Sequence, residues 1–148
     1  MKSKFLPPIY FWSFIVLAVA LHFLLPIALI ISSPYRYLGG LPIVFGLALN
    51  LWTDSLFKKA NTTVKPYQKS TAFLIDGPFR ISRHPMYLGM TSVLIGVALL
   101  CGSLSPFVTP LLFVIVMEGM FIPFEENDLE EAFGEQYSEY KNRVRRWI

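Results

Sequence analysis

Four long apolar runs separated by polar breaks set the plan of this chain, and the first, Ile9 to Ile31, is made of apolar, small or aromatic residues apart from His22. At 1.5 Å per residue such a run crosses the roughly 30 Å of hydrocarbon in a bilayer, so the pattern predicts a spanning helix over 9–31. The run is too long for the apolar core of a secretory leader and has no small-residue cleavage pattern, so the helix is expected to stay with the protein. Ser32-Ser33-Pro34 and Tyr35-Arg36-Tyr37 then make an interfacial turn carrying membrane-belt aromatics. A second span is predicted over 38–57, with Pro42 near its start and Asn50, Trp52 and Asp54 towards its end. The third run, 86–101, is short of the about 20 residues a full span needs. After Gly102-Ser103 the fourth, 104–124, holds Pro106, Pro110, Pro123 and Glu118. Those prolines predict a kinked or broken helix, whose freed backbone groups are tolerated in a membrane chiefly where they line a cavity.

Between the second and third runs lies the longest polar stretch, 58–85, with Lys58, Lys59, Lys65, Lys69, Arg80 and Arg83. The apolar island Thr71 to Ile75 inside it, closed by the turn Asp76-Gly77-Pro78, is expected to fold back on the membrane face or line a pocket. Beyond the fourth run, apolar residues at 129, 133, 137, 140 and 144 share one helical face. Acids crowd the start of this tail and Lys141, Arg143, Arg145 and Arg146 its end, as a helix dipole prefers. The pattern predicts an amphipathic helix over 126–145 lying on the membrane interface, with Gly134 as its weak point. The expected architecture is a single all-α domain, a polytopic integral membrane protein with four transmembrane helices, whose loop and tail form a pocket.

Composition agrees with that class: 54% of residues are hydrophobic and 16% charged, against about a quarter charged in soluble domains. The net charge of +3 is small and tied to membrane flanks, which argues against nucleic acid as a partner. Of 13 Lys and Arg residues, Arg36 alone falls on one side of a four-span topology, so the N-terminus, the 58–85 loop and the tail are expected in the cytoplasm. The start of the third run and the end of the fourth then face the same side.

Chemistry concentrates in Gly77 to Gly89, where Arg80, Arg83, His84 and Tyr87 surround Pro78 and Pro85. Pro85 keeps His84 out of helical geometry and suits the first turn of a new helix, whose free N–H groups attract an anion. Glu125 and Glu126, at the mouth of the fourth run, could act as general acid and base, bind a cation, or simply open a solvated helix. His84 has no second His or Cys at ligand spacing, so no metal is expected. No Gly-rich phosphate loop follows a strand, which excludes a soluble dinucleotide fold. The single cysteine, Cys101, precludes an internal disulfide. His22 reads as a packing histidine bonded to a neighbouring hydroxyl or carbonyl; the other reading is a proton carrier.

Arg83-His84-Pro85-Met86-Tyr87-Leu88-Gly89, followed by an apolar span and Glu125-Glu126-Asn127-Asp128-Leu129, resembles the paired RHPxYxG and EExxL motifs of the isoprenylcysteine carboxyl methyltransferases and their phospholipid-methyltransferase-like relatives. Phe133 to Tyr137 and Tyr140-Lys141 are similar to that family's tail. The resemblance implies a membrane enzyme using S-adenosylmethionine, with cofactor contacts on Thr71, Ala72, Phe73, Leu74, Phe79, Arg83, His84, Pro85, Met86, Tyr87 and Glu125. His84 and the helix start would suit the cofactor's carboxylate, Glu125 its ammonium or ribose hydroxyls, and Phe73, Phe79 and Tyr87 its adenine or sulfonium. The acceptor would be lipophilic and enter from the bilayer. Phe121 stands where the isoprenylcysteine enzymes have an arginine facing a substrate carboxylate. Glu118, one turn earlier, would instead suit an amine acceptor or pair with His22, and Glu126 or Glu118 would be the catalytic base. Two readings of other kinds are an NADPH-dependent reductase of the sterol-reductase type and a non-catalytic membrane scaffold.

Overall fold

The computed structural model describes residues 6–60 and 73–148 as a set of helices. Helix α1 spans Pro7–Leu24, α2 Gly40–Lys59 and α3 Pro85–Cys101. The fourth apolar run becomes one helical rod, Ser105–Phe133, made of a 3-10 turn, α4 (Val108–Val116), a π turn (Met117–Phe121) and α5 (Ile122–Phe133). A last helix, α6, spans Glu135–Arg143. Among the described residues the extended pairing is confined to an isolated bridge between Leu29 and Ser103. Three pieces, Pro7–Leu24, Tyr35–Lys59 and Ser105–Phe133, are long and apolar enough to cross a membrane, and α3 is a shorter apolar helix. This is an all-helical membrane protein.

The first helix ends at Leu24, well before Ile31, and the reason is Pro26. Proline has no N–H to offer the preceding turn, and its ring pushes Leu25 out of the helical region, to φ −142° and ψ 60°. The remaining apolar residues run extended and are stapled to the turn after α3. Ile30 and Ile31 N–H donate to the Gly102 carbonyl at 2.9 and 3.0 Å, and Leu104 N–H donates to Ala28 at 2.9 Å. His22 belongs to this staple, with its Nδ1 2.8 Å from the Ser103 hydroxyl. It is a packing histidine. A 17-residue α3, about 25 Å long, separates this end of the bundle from His84.

The prolines of the fourth run do less damage than expected. Pro106 and Pro110 sit in first turns, where a missing N–H costs nothing. Pro123 follows the π turn, a wider turn that absorbs the lost hydrogen bond, so the helix passes Phe124 and runs on to Phe133. The rod is therefore bulged rather than broken.

Helix α3 is the centre of the molecule. On one side α2 approaches it closely through glycines, with Gly39 opposite Gly96 and Gly46 opposite Gly89. Small residues let two backbones meet in an apolar medium, where dispersion rather than water drives association. On the other side Met90, Val93 and Leu94 of α3 share a core with Phe11 of α1, Phe113 of α4, and Met117 and Phe121 of the π turn.

The tail is two helices, not one over 126–145, because Gly134 takes φ +51° and turns the chain between α5 and α6. Its apolar face, Leu129, Phe133, Tyr137, Tyr140 and Val144, does not lie bare on a membrane surface. It packs on Phe73, Leu74 and Phe79 of the loop and on Leu56 and Phe57 of α2. The tail thus closes over the segment that leads into α3.

A methyl group added at Gly96 would come within 2.5 Å of the Gly39 carbonyl oxygen and of Ile43 Cγ1, whereas one at Gly119 meets nothing within 4 Å. Gly96→Ala should therefore destabilise the protein by about 1–3 kcal/mol in a detergent melt, and Gly119→Ala should be neutral or stabilising. Equal melting of the two variants would show that α2 and α3 are not held at this distance.

Candidate active site

The site is built on the entrance to α3. Gly77 adopts φ +63°, which starts a 3-10 turn over Gly77–Arg80, and Pro85 then opens α3 as its first residue. His84, in the cap position, has its backbone N–H on the Ser82 hydroxyl at 3.1 Å. Ser82 in turn donates to the Arg146 carbonyl at 3.0 Å, and the Arg83 N–H donates to the Arg145 carbonyl at 3.0 Å. The residues after α6 therefore latch the loop in place.

Three cations and three carboxylates converge behind this latch. His84 is buried, its ring parallel to that of Tyr87 at 5.7 Å between centroids. Its Nδ1 lies 3.3 Å from Glu125 Oε2 and its Nε2 3.4 Å from Glu126 Oε1. The Tyr87 hydroxyl donates to Glu125 Oε1 at 2.5 Å. Glu126 also meets Arg83 Nη2 at 3.2 Å, and Arg146 holds both its oxygens at 3.1 and 2.6 Å. The other arm of Arg146 reaches Glu118 at 2.7 Å, and the Trp147 indole N–H donates to the same carboxylate at 2.6 Å. Burial by itself would lower the pKa of His84, but bonds from and proximity to Glu125 and Glu126 outweigh it, and the net shift is upward. With a carboxylate at each ring nitrogen, the imidazolium is the form that satisfies both.

Of the residues expected to bind cofactor, Arg83, His84, Tyr87 and Glu125 are gathered here, with buried Pro85 and half-buried Met86 opening α3 between them. Phe73, Leu74 and Phe79 belong to the adjoining aromatic cluster, where Phe73 stacks on Phe133 at 5.1 Å and meets Tyr140 edge-on at 5.4 Å. Thr71 and Ala72 lie outside the described residues. Glu118 does not pair with His22; its partners are Arg146 and Trp147. Phe121 is buried in the core, edge-on to Tyr10 at 5.5 Å. Arg146 was read in the sequence only as part of the basic end of the tail and Trp147 was not singled out; the signal that could have found them was Glu118. An acid within an apolar run needs a cation from elsewhere in the chain.

The family profile of the phospholipid methyltransferases matches residues 34–136, most of the chain and both of the motifs that meet at this site. The chain belongs to that family. Similar proteins include protein-S-isoprenylcysteine O-methyltransferase B of Arabidopsis thaliana, 37% identical over 47% of this chain and 35% of the plant protein. A probable protein-S-isoprenylcysteine O-methyltransferase of Oryza sativa subsp. indica is 33% identical over 53% of this chain and 41% of its own length. An uncharacterised protein of Haemophilus influenzae is 35% identical over 43% of this chain and all of its own. The chain thus spans less than half the length of the plant enzymes it matches. No solved structure matches. In this phospholipid methyltransferase family member, the profile stops at residue 136, so Arg146 and Trp147 fall beyond the matched part.

Two measurements follow. Because the folded pKa of His84 is raised, its ion pairs stabilise the protein fully below the ordinary imidazole pKa and are lost as pH rises through the folded value. Detergent melting temperature should therefore fall from pH 6 towards alkaline pH, with a flatter profile in His84→Gln; parallel profiles would rule out the imidazolium. Arg146→Gln leaves Glu126 and Glu118 short of a counter-ion and should cost about 2–4 kcal/mol, against at most about 0.5 kcal/mol for Arg143→Gln, whose exposed pair with Glu139 is a surface one. Similar losses in the two variants would remove the Arg146 ion pairs from the account.

Proposed function

We propose that this chain is an integral-membrane methyltransferase that takes its methyl group from S-adenosylmethionine and passes it to a lipophilic acceptor entering from the bilayer. The observation that carries the reading is the contact between the start of α3 and α5: His84 and Tyr87 against Glu125 and Glu126. In this reading α3 is a fourth span beside the three longer ones, and the N-terminus, the loop and the tail lie in the cytoplasm, where the basic residues concentrate.

The residues fit such a donor. Glu125 is only partly buried and can take an ammonium group or ribose hydroxyls, and Tyr87 is held beside it as an aromatic wall. Arg83 keeps buried N–H donors without partners among the described residues, as a site for an acidic group would. When bound, the donor supplies a methyl group on a sulfonium, which leaves by in-line displacement. What the chain supplies is alignment and exclusion of water, through the paired, rigid charge cluster and the tail closed over it. A carboxylate acceptor needs no base. An amine acceptor must shed a proton, and Glu118, a third exposed, is better placed to take it than Glu126, which three cations hold at 6% exposure. Buried Phe121 offers a carboxylate acceptor no counter-ion, which favours a lipid amine over an isoprenylcysteine-like carboxylate.

The detergent-solubilised protein should bind S-adenosylhomocysteine, and His84→Ala and Glu125→Ala should each weaken binding at least tenfold while His22→Ala leaves it unchanged. Binding of NADPH in its place, or equal effects of all three substitutions, would overturn the reading. Incubation with methyl-labelled donor and a total lipid extract then identifies the acceptor by the fraction that takes up label.

A further inference from the structure

Within the charge cluster, His84 has no nitrogen to spare: both ring nitrogens face glutamates and its backbone N–H is on Ser82. Arg83 is different. Among the described residues only its Nη2 is used, on Glu126, while Nε and Nη1 are buried with no hydrogen-bond partner, in a side chain 10% exposed. The Tyr137 hydroxyl is also buried and without a partner among the described residues, at 1% exposure for the residue. Its neighbour Tyr140 shows what the alternative looks like, since its hydroxyl donates to the Phe79 carbonyl at 2.7 Å. Buried polar atoms left unpaired are costly, and in native proteins they are nearly always met by a partner, a water or a ligand.

Arg83 and Tyr137 lie on the same side of the molecule, where the loop and the tail pack on each other. Tyr137 and Tyr140 pack with Phe79, on the loop that leads to Arg83, and the charges of Arg83 and Glu126 both act on the Tyr137 hydroxyl. Burial raises the Tyr137 pKa, so the phenol keeps its proton and has a donor to offer. Arg83 is also under-neutralised. Its one carboxylate, Glu126, has both oxygens on Arg146 and a further contact to His84. A buried guanidinium sharing its counter-ion with two other cations favours a second anion, and a carboxylate, with two oxygens and about four lone-pair sites, matches unused guanidinium and phenol donors.

We infer that Arg83 and Tyr137 hold the carboxylate at the amino-acid end of the methyl donor, in place of His84 and the start of α3. The inference rests on the donor reading above and assigns one end of that molecule. Tyr137 lies just past the part of the chain that the family profile matches. It is a binding residue only if the ligand carries the acid, and this makes it separable from a structural residue.

The probes are S-adenosylhomocysteine, which carries the carboxylate, and methylthioadenosine, which keeps the nucleoside and thioether but lacks the amino-acid end. Their affinities for the full chain in detergent should respond differently to Tyr137→Phe, an isosteric change with little effect on packing. S-adenosylhomocysteine should weaken roughly tenfold or more, as expected for loss of a charged hydrogen bond, with methylthioadenosine unchanged. Arg83→Lys, which keeps the charge but removes the fork, should give the same selective loss, and Tyr140→Phe should not. Equal weakening of both probes by Tyr137→Phe, or no change in either, would overturn the assignment and leave a buried water as the partner. Failure of the unsubstituted protein to bind S-adenosylhomocysteine at all would overturn the donor reading itself and this assignment with it.

Discussion

One buried carboxylate organises the functional end of this protein. Glu126 receives Arg83 and His84 from the stretch before α3 and Arg146 from the stretch after α6, so a single anion joins segments that lie far apart in the chain. A charge with this little exposure is tolerable only when its partners are in place, because the interior repays the loss of hydration through close, well-aligned pairs alone. The geometry is therefore close to all or none. If the tail lifts, Glu126 and Glu118 lose Arg146, and Ser82 and Arg83 lose the backbone acceptors that hold the loop.

The packing elsewhere serves that meeting. Glycines bring α2 against one side of α3, aromatic side chains of α1 and α4 fill the other, and α3 is fixed at the centre with its polar entrance aimed at α5. The π turn matters for the same reason. It lets the rod continue past Pro123, carrying Glu125 and Glu126 on the same helix that packs the core, so the acids inherit the rigidity of the bundle. The aromatic cluster around Tyr137 and Tyr140 then presses the tail on the loop from outside.

Much of this was legible in the order of residues. Apolar runs located the helices, and the Arg83-His84-Pro85 and Glu125-Glu126 motifs marked the two ends that touch, because motif chemistry and a count of basic residues both placed them on one side. What could not be read was tertiary. Pro26 lies in an unbroken apolar run, so hydropathy alone extended α1 to Ile31, although the backbone rule for proline already forbade it. The apolar face of the tail was seen at the right positions but given to lipid, because periodicity tells that a face is covered and not by what. Arg146 was lost among neighbouring basic residues: nothing local separates an arginine that pairs with one buried and one half-buried acid from one that faces solvent.

The shortness of α3 has a geometric consequence. Seventeen residues give a rod of about 25 Å against roughly 30 Å of hydrocarbon, so in the four-span reading proposed above its two ends cannot both reach water at the full thickness of a bilayer. Its neighbours are longer, so in that reading the polar entrance would be a recess below the head-group plane rather than a platform above it. For the lipophilic acceptor proposed above, such a recess would shorten the journey: the chain tails would remain dissolved in the membrane while the reactive head dipped sideways to the methyl group, and no desolvated lipid would have to be lifted into the aqueous phase.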